Sequence, residues 1–234
     1  MIERDVVYIL KNNWKIRPEE LRISLRSLCN FPHRAVWFFG GMPKGFQPDH
    51  AETFIQKGMG RFEKVRNTII KVCKNEEVSE DFWLFNDDFF ILKPVCQEFC
   101  FDRGDIMEHY RRLYKIHGFE SPYMTELKRA HHALKSSELG TKDYTCHIPM
   151  LINKKAALEA ISAFPEVHGF RNIYGNFVGL ESITIKDVKI SSLRNVPGED
   201  WAFCSSSDGS FASGLLGTWL FERFPEPSRW EVCK

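Results

Sequence analysis

The sequence predicts an open α/β fold, and two observations carry that prediction. Three short apolar runs, D-V-V-Y-I-L at 5–10, A-V-W-F-F at 35–39 and D-F-W-L-F at 81–85, have the length and continuity of buried strands. Between them lie segments whose apolar residues recur at helical spacing. The chain has 234 residues, 43% of them hydrophobic and 14% aromatic, which is enough for a packed core and unlike a disordered chain. No internal repeat or low-complexity linker interrupts it, so residues 1–234 are expected to form one domain. Within it, two halves are expected, at about 1–94 and about 95–234.

The first strand, 5–10, is followed by the polar loop Lys11 to Lys15. Loops at the carboxyl ends of strands in an open α/β sheet are where ligands bind, so Asn12 and Asn13 are either nucleotide contacts or parts of a plain turn. Pro18, Glu19 and Glu20 suit a helix start, and Leu21, Leu25 and Leu28 give that helix its apolar side. Arg22 and Arg26 share a face that is either solvated or meets phosphate. The second strand ends at G-G-M-P-K-G, whose glycines allow unusual backbone and close approach but match no phosphate-loop spacing. Asp49 and Glu52 have capping-box spacing, and Phe54 through Val72 supply a long apolar stripe. Arg66 and Asn67 lie on its polar side, as solvated residues or donor contacts.

The third strand leads into Asn86-Asp87-Asp88, and a further apolar run, Phe89 to Leu92, follows at once. Two adjacent carboxylates at the end of a buried strand are costly without compensation. The turn is therefore either solvated or a site for a hard divalent cation, Mg²⁺ or Mn²⁺, shared with a diphosphate. Residues 95–110 read as irregular, with a turn at Asp102 to Asp105. The helical region beyond it carries Arg111, Arg112 and Tyr114 among many basic residues, as a charged surface helix or as a seat for an anionic acceptor such as nucleic acid. Residues 144–152 read as a strand holding His147, and Asn153 to Phe164 as a helix. His168, Arg171 and Asn172 fall in an expected loop, Ile183 to Ile190 in an expected edge strand, and 198–201 and 205–209 in polar turns. A short helix is expected near Leu215 to Phe224.

Composition narrows the function classes. The formal net charge of +1 announces no nucleic-acid partner and excludes none. The start M-I-E-R-D-V-V-Y lacks the pattern of a signal peptide, and no run of about 18 apolar residues occurs, so a cytoplasmic chain without membrane insertion is expected. Seven scattered cysteines read as reduced thiols; Cys96 and Cys100 lack a second pair or nearby His to complete a zinc set.

Four blocks resemble the Stealth-type capsular polysaccharide phosphotransferases: D-V-V-Y at 5–8, E-L-R-I-S-L-R-S-L at 20–28 followed by A-V-W-F-F-G-G, S-E-D-F-W-L-F-N-D-D-F-F at 79–90, and His147-Ile148-Pro149 with Phe164-Pro165-Glu166. In order and spacing they cover about residues 5–172. That family resembles the GT-A-type nucleotide-diphospho-sugar transferases. The resemblance implies a mixed, mostly parallel sheet flanked by helices, a nucleotide-sugar donor such as a UDP-sugar, and a divalent metal, Mn²⁺ or Mg²⁺, on Asp87 and Asp88. His147 matches a histidine of the third block, and Arg171 falls near an arginine of that region. The family's T-W-V-D-G after the first strand is I-L-K-N-N here, so the acid expected there is absent, and Met150 stands where a second histidine is common.

The expectation is a metal-dependent hexosyltransferase acting on a hydroxyl of a polysaccharide or of a modified base in DNA. The alternatives are a sugar-1-phosphate transferase and a non-catalytic nucleotide or nucleic-acid binding module. His147 and Asp88 are the expected bases, with their roles resting on the neutral pKa of imidazole and on Asp87 holding the metal alone. Asn12, Arg66, Asn67, Asn86 and Arg171 are expected on the donor, and Arg111, Arg112 and Tyr114 on the acceptor.

Overall fold

The computed structural model describes residues 3–12 and 18–232; Asn13, read above as a nucleotide contact, lies outside them. The chain runs β1 (Asp5–Leu10), α1 (Glu19–Ser27), β2 (Val36–Gly40), β3 (His50–Thr53), α2 (Arg61–Lys74), β4 (Asp81–Phe85) and β5 (Phe89–Ile91). Next come β6 (Phe101–Asp102), α3 (Ile106–His117), α4 (Pro122–Ser136), β7 (Met150–Asn153), α5 (Lys154–Ala163) and α6 (Phe170–Phe177). The last elements are β8 (Ile183–Thr184), β9 (Lys189–Ile190), β10 (Phe203–Ser206), α7 (Asp208–Ala212) and α8 (Leu215–Arg223).

The main sheet has the order β3-β2-β1-β4-β7. Its first four strands are parallel and β7 is antiparallel to β4, so the expected mixed, mostly parallel sheet flanked by helices is what the protein has. Both faces are covered. Val7, Trp37, Phe39, Phe82, Leu84 and Ile152 pack under Ile69 and Val72 of α2, Ala157 and Ile161 of α5 and Tyr174 of α6. Val6, Tyr8, Phe38, Trp83 and Phe85 pack on the opposite side with Leu21, Leu25 and Leu28 of the α1 region and with Phe31. A strand buried on both faces needs apolar side chains at every position, which is why β1, β2 and β4 read as continuous apolar runs. A second sheet, β5-β10-β9, is covered by α7 and α8 through Phe90, Cys204, Phe211, Leu216 and Leu220.

The packing of α1 against β5 explains the block at 20–28. Its leucines enter the core, while its two serines face the edge of β5. Ser24 Oγ donates to the Phe89 carbonyl at 2.6 Å, and Ser27 Oγ accepts from the Ile91 N–H at 3.0 Å. A helix thus satisfies backbone groups that a neighbouring strand would otherwise take. Arg22 and Arg26, on the outer face, both pair with Glu231.

Several sequence expectations are corrected. Asp49 and Glu52 open no helix: the segment is β3, paired in parallel with β2. Asp49 accepts instead from the Val36 N–H at 2.8 Å and from Trp230 Nε1 at 3.1 Å, and α2 begins at Arg61 behind Gly60. The extended pairing at 144–152 is confined to Met150 onward, because only those residues face β4. Arg171 and Asn172 stand on α6 rather than in a loop. Asn172 Oδ1 accepts from the Tyr144 N–H at 2.7 Å, which ties that helix to the segment before β7. Ile183 to Ile190 splits into β8, paired with β6, and β9, paired with β10. Within 95–110, β6 and the start of α3 replace irregular chain, and Asp105 caps α3 by accepting from the Met107 N–H at 2.8 Å. The 205–209 stretch is the end of β10 and the start of α7. The six described cysteines are free thiols.

Candidate active site

Strands β1, β2, β3 and β4 are parallel, so their carboxyl ends share one edge. Lys11-Asn12, Gly40-Gly41, the chain after Thr53 and Asn86-Asp87-Asp88 all leave the sheet there. The two glycines serve backbone packing. A Cβ on Gly41 would lie 1.9 Å from the Lys11 carbonyl oxygen, so only glycine lets the β2 exit close on the β1 exit. Asn12 completes the edge by accepting from the Gln56 N–H at 2.8 Å and donating to the Phe54 carbonyl.

The register of the second sheet builds the surroundings of the acid pair. Phe89, the residue after Asp88, lies opposite Ser205 of β10, and Ser205 lies opposite Lys189 of β9. The row places Ser205 Oγ 2.9 Å from Asp88 Oδ2 and Lys189 Nζ 3.6 Å from the same oxygen. One residue further along β10, Ser206 Oγ donates to Glu20 Oε1 at 2.5 Å. Glu20 and Asp208 bring their charges to the same corner, so four carboxyl groups share it with Lys11 and Lys189. Burial, with Asp88 adding to it, pushes the Asp87 carboxyl up to about 6. Burial, opposed by the Ser206 hydrogen bond and reinforced by Asp87, Asp88 and Asp208, pushes Glu20 up to about 7.

Crowded oxygen donors short of positive charge suit a hard divalent cation. Among the described residues no three metal-binding side chains converge on one point. A cation there would therefore draw on Asp87 and Asp88 plus water and substrate oxygens, which is how Mg²⁺ is commonly held at phosphate sites.

His147 lies just before β7. Its Nδ1 is 2.7 Å from Asp187 Oδ2, and its backbone N–H donates to Asp187 Oδ1 at 3.1 Å. Arg103 reaches the same Oδ2 at 3.2 Å. Burial works against ionisation of Asp187, but the His147 hydrogen bonds and the nearby positive charges hold its carboxyl well below the usual range. Arg171 joins the two groups. Its Nη1 donates to the carbonyls of Cys146 and Ile148, both at 2.8 Å, clamping the peptides on either side of His147. Its guanidinium sits 5.3 Å from the centre of the Phe89 ring, next to Asp88, and both Asp88 and Asp187 act on its charge. Burial lowers Arg171 to about 10, and its buried Nη2 has no hydrogen-bond partner among the described residues.

Of the residues singled out in the sequence, Asp87 and Asp88 adjoin in one turn, and Arg171 links that turn to His147 by acting on Asp88 and holding the carbonyls that flank His147. Asn86 is exposed in the acid turn. Arg66 donates to the Ile161 carbonyl at 3.2 Å and Asn67 to the Lys57 carbonyl at 3.1 Å, so both hold α2 against its neighbours. Arg111, Arg112 and Tyr114 are exposed on α3. Sequence reasoning missed Glu20, Lys189, Ser205, Asp208, Asp187 and Arg103. The serines at 205–207 read as a turn, and Glu20 read as a helix-start residue; neither carries a local mark of the site.

No protein-family model and no curated protein matches the chain. Among solved structures it is similar to the galactosyltransferase LgtC in complex with donor and acceptor sugar analogues, and to an active-site mutant of LgtC. Each shows 10% identity over 72% of this chain and 69% of the other, with a TM-score of 0.40. It is also similar to the glycosyltransferase GlyE of Streptococcus pneumoniae TIGR4, at 10% identity and a TM-score of 0.39, over 74% of this chain and 42% of GlyE. Likeness at this level assigns the chain no activity, substrate or metal. No helix among the described residues is long and apolar enough to cross a membrane.

Proposed function

We propose that this chain is a metal-assisted glycosyltransferase of GT-A type that moves a sugar from a nucleotide-diphosphate sugar to a hydroxyl acceptor. The observation that carries the reading is the crowding of Glu20, Asp87, Asp88 and Asp208 at the carboxyl end of the central strands, where burial first and the neighbouring carboxylates second push Asp87 and Glu20 upward. Asp87 and Asp88 would hold Mn²⁺ or Mg²⁺, whose chemistry is to neutralise charge on a departing diphosphate. Lys189 and Ser205 both hold Asp88 through Oδ2, which leaves Oδ1 as the oxygen it would give the cation. Arg171 brings a guanidinium beside Asp88, a planar cation of the kind suited to phosphate. The exposed Asn86 in the acid turn and Asn12 at the exit of β1 are assigned to the donor side. His147 takes the proton of the acceptor hydroxyl, with Asp88 as the alternative if Asp87 alone holds the metal.

The acceptor is assigned to a polysaccharide or to a modified base in DNA, in the second case lying along Arg111, Arg112 and Tyr114. A second reading, transfer of the sugar 1-phosphate, is favoured by the resemblance of residues 20–28 and 79–90 to the Stealth blocks.

Thermal-shift measurements with UDP-sugars, with and without Mn²⁺, test the proposal. Stabilisation that needs both donor and metal, and that Asp87→Asn abolishes, is expected; no stabilisation by any pair would count against it. Release of nucleoside monophosphate instead of diphosphate would select the second reading. Loss of duplex-DNA binding at low salt removes the DNA acceptor.

A further inference from the structure

We propose that Asp187 is the positioning residue for His147, holding the ring with its proton on Nδ1 and leaving Nε2 as the nitrogen that receives the acceptor's proton. This rests on the reading of His147 as the base. An ionised carboxylate only accepts hydrogen bonds. Asp187 Oδ2 lies 2.7 Å from Nδ1, so Nδ1 carries the proton and a neutral ring has its free electron pair on Nε2. The second bond, from the His147 backbone N–H to Oδ1 at 3.1 Å, fixes the carboxylate against backbone and ring at once.

Two further contacts make the arrangement rigid. Arg103, whose side chain is 12% exposed, reaches Asp187 Oδ2 at 3.2 Å and favours its ionised form. Arg171 holds the carbonyls of Cys146 and Ile148, so the peptides flanking His147 are pinned from the other side. The imidazole is 27% exposed, and among the described residues no hydrogen bond reaches Nε2. Nδ1 is therefore engaged with Asp187, and Nε2 belongs to a partly exposed ring and, among the described residues, carries no hydrogen bond. In the transfer step, the acceptor O–H breaks and its proton moves to Nε2. The oxygen bonds to the anomeric carbon, and the carbon–oxygen bond to the diphosphate breaks with its electron pair leaving on the diphosphate. The resulting imidazolium keeps its Nδ1–H bond to Asp187, which stabilises the positive ring.

Long-range ¹H–¹⁵N spectra of the full chain labelled with ¹⁵N-histidine read the tautomer directly, with His147→Gln supplying the assignment. The parent is expected to show Nδ1–H and an unprotonated Nε2 at His147, and Asp187→Ala to lose that preference. Asp187→Asn, nearly the same size, guards against a folding defect. A parent with the proton on Nε2, or a tautomer unchanged in Asp187→Ala, overturns the proposal. Turnover of the UDP-sugar selected by the thermal screen gives the second readout. Asp187→Ala is expected to lower kcat about 100-fold with little change in KM. In the His147→Gln background the same substitution is expected to have little further effect. Independent, additive losses overturn the positioning role while leaving the proposed function intact. The Nδ1–H tautomer without turnover of any UDP-sugar has the opposite meaning: it removes the function and leaves the pair standing.

Discussion

Among the described residues, two carboxylate–histidine pairs have the same local chemistry and different surroundings. His109 on α3 meets Asp143 through Nδ1, and the two side chains are 1% and 0% exposed. Thr145 also serves Asp143, donating from its backbone N–H at 3.0 Å and its hydroxyl at 2.6 Å, and the Tyr123 hydroxyl lies 2.7 Å from Thr145 Oγ1. His147 meets Asp187 with its ring partly open to solvent, beside an arginine shared with the acid turn. The first pair is closed: no substrate reaches it, and its removal leaves a buried partner without compensation. The second belongs to a ring that is 27% exposed. Burial, not the pairing itself, separates a structural histidine from one available for chemistry.

The largest effect expected from breaking that contrast is on stability. Asp143→Ala strands His109 in the interior and is expected to cost about 3–5 kcal/mol, read as a lowered denaturant midpoint at unchanged slope. A loss under about 1 kcal/mol would remove the distinction. Next comes turnover. His147→Gln is expected to reduce kcat by about 100-fold, roughly 2.7 kcal/mol, while shifting unfolding free energy by no more than about 0.5 kcal/mol. Equal stability losses in His109→Gln and His147→Gln would contradict the comparison.

Acid titration sharpens it further. Burial opposes ionisation of Asp143, but its bonds from His109 and Thr145 lower its folded pKa below the ordinary 3.8. A depressed carboxyl contributes stability that is present above 3.8 and lost as pH falls toward the folded value. Denaturant midpoints at pH 5 and pH 3 are expected to differ less in Asp143→Asn than in the parent. Glu231, lowered to about 2 by Arg26, Ser228 and Arg22 against the effect of burial, adds a separate loss between about 4.5 and about 2. The smallest effect is expected at Arg111→Ala with Arg112→Ala. Both residues are exposed, so stability should move by no more than about 0.5 kcal/mol, and any duplex-DNA affinity should lose salt dependence.

These outcomes bear on what the sequence makes legible. β1, β2 and β4 were visible because double-sided burial leaves continuous apolar runs, and α1 and α5 because their apolar residues keep helical period. Asp49 and Glu52 misled, because capping-box spacing is a local mark while β3 is decided by pairing with β2 and by Trp230, 181 residues away. The candidate site divides the same way. Asp87 and Asp88 stand out as adjacent charges inside an apolar stretch. Asp187 lies 40 residues from His147, and Ser206 lies 186 from Glu20. Such partners are set by register between distant strands, and register leaves no periodic trace in a single segment.

The pairing of β10 with β5 has a consequence for synthesis. Ser205 and Ser206 reach Asp88 and Glu20 from the far end of the chain, after Phe203, Cys204 and Ser205 have settled against Ile91, Phe90 and Phe89. The main sheet can assemble from residues up to Asn153, but the corner holding the carboxylates stays unfinished until Asp208 has left the ribosome. A nascent chain would therefore carry a nearly complete scaffold before the last partners of Asp88 and Glu20 reach them.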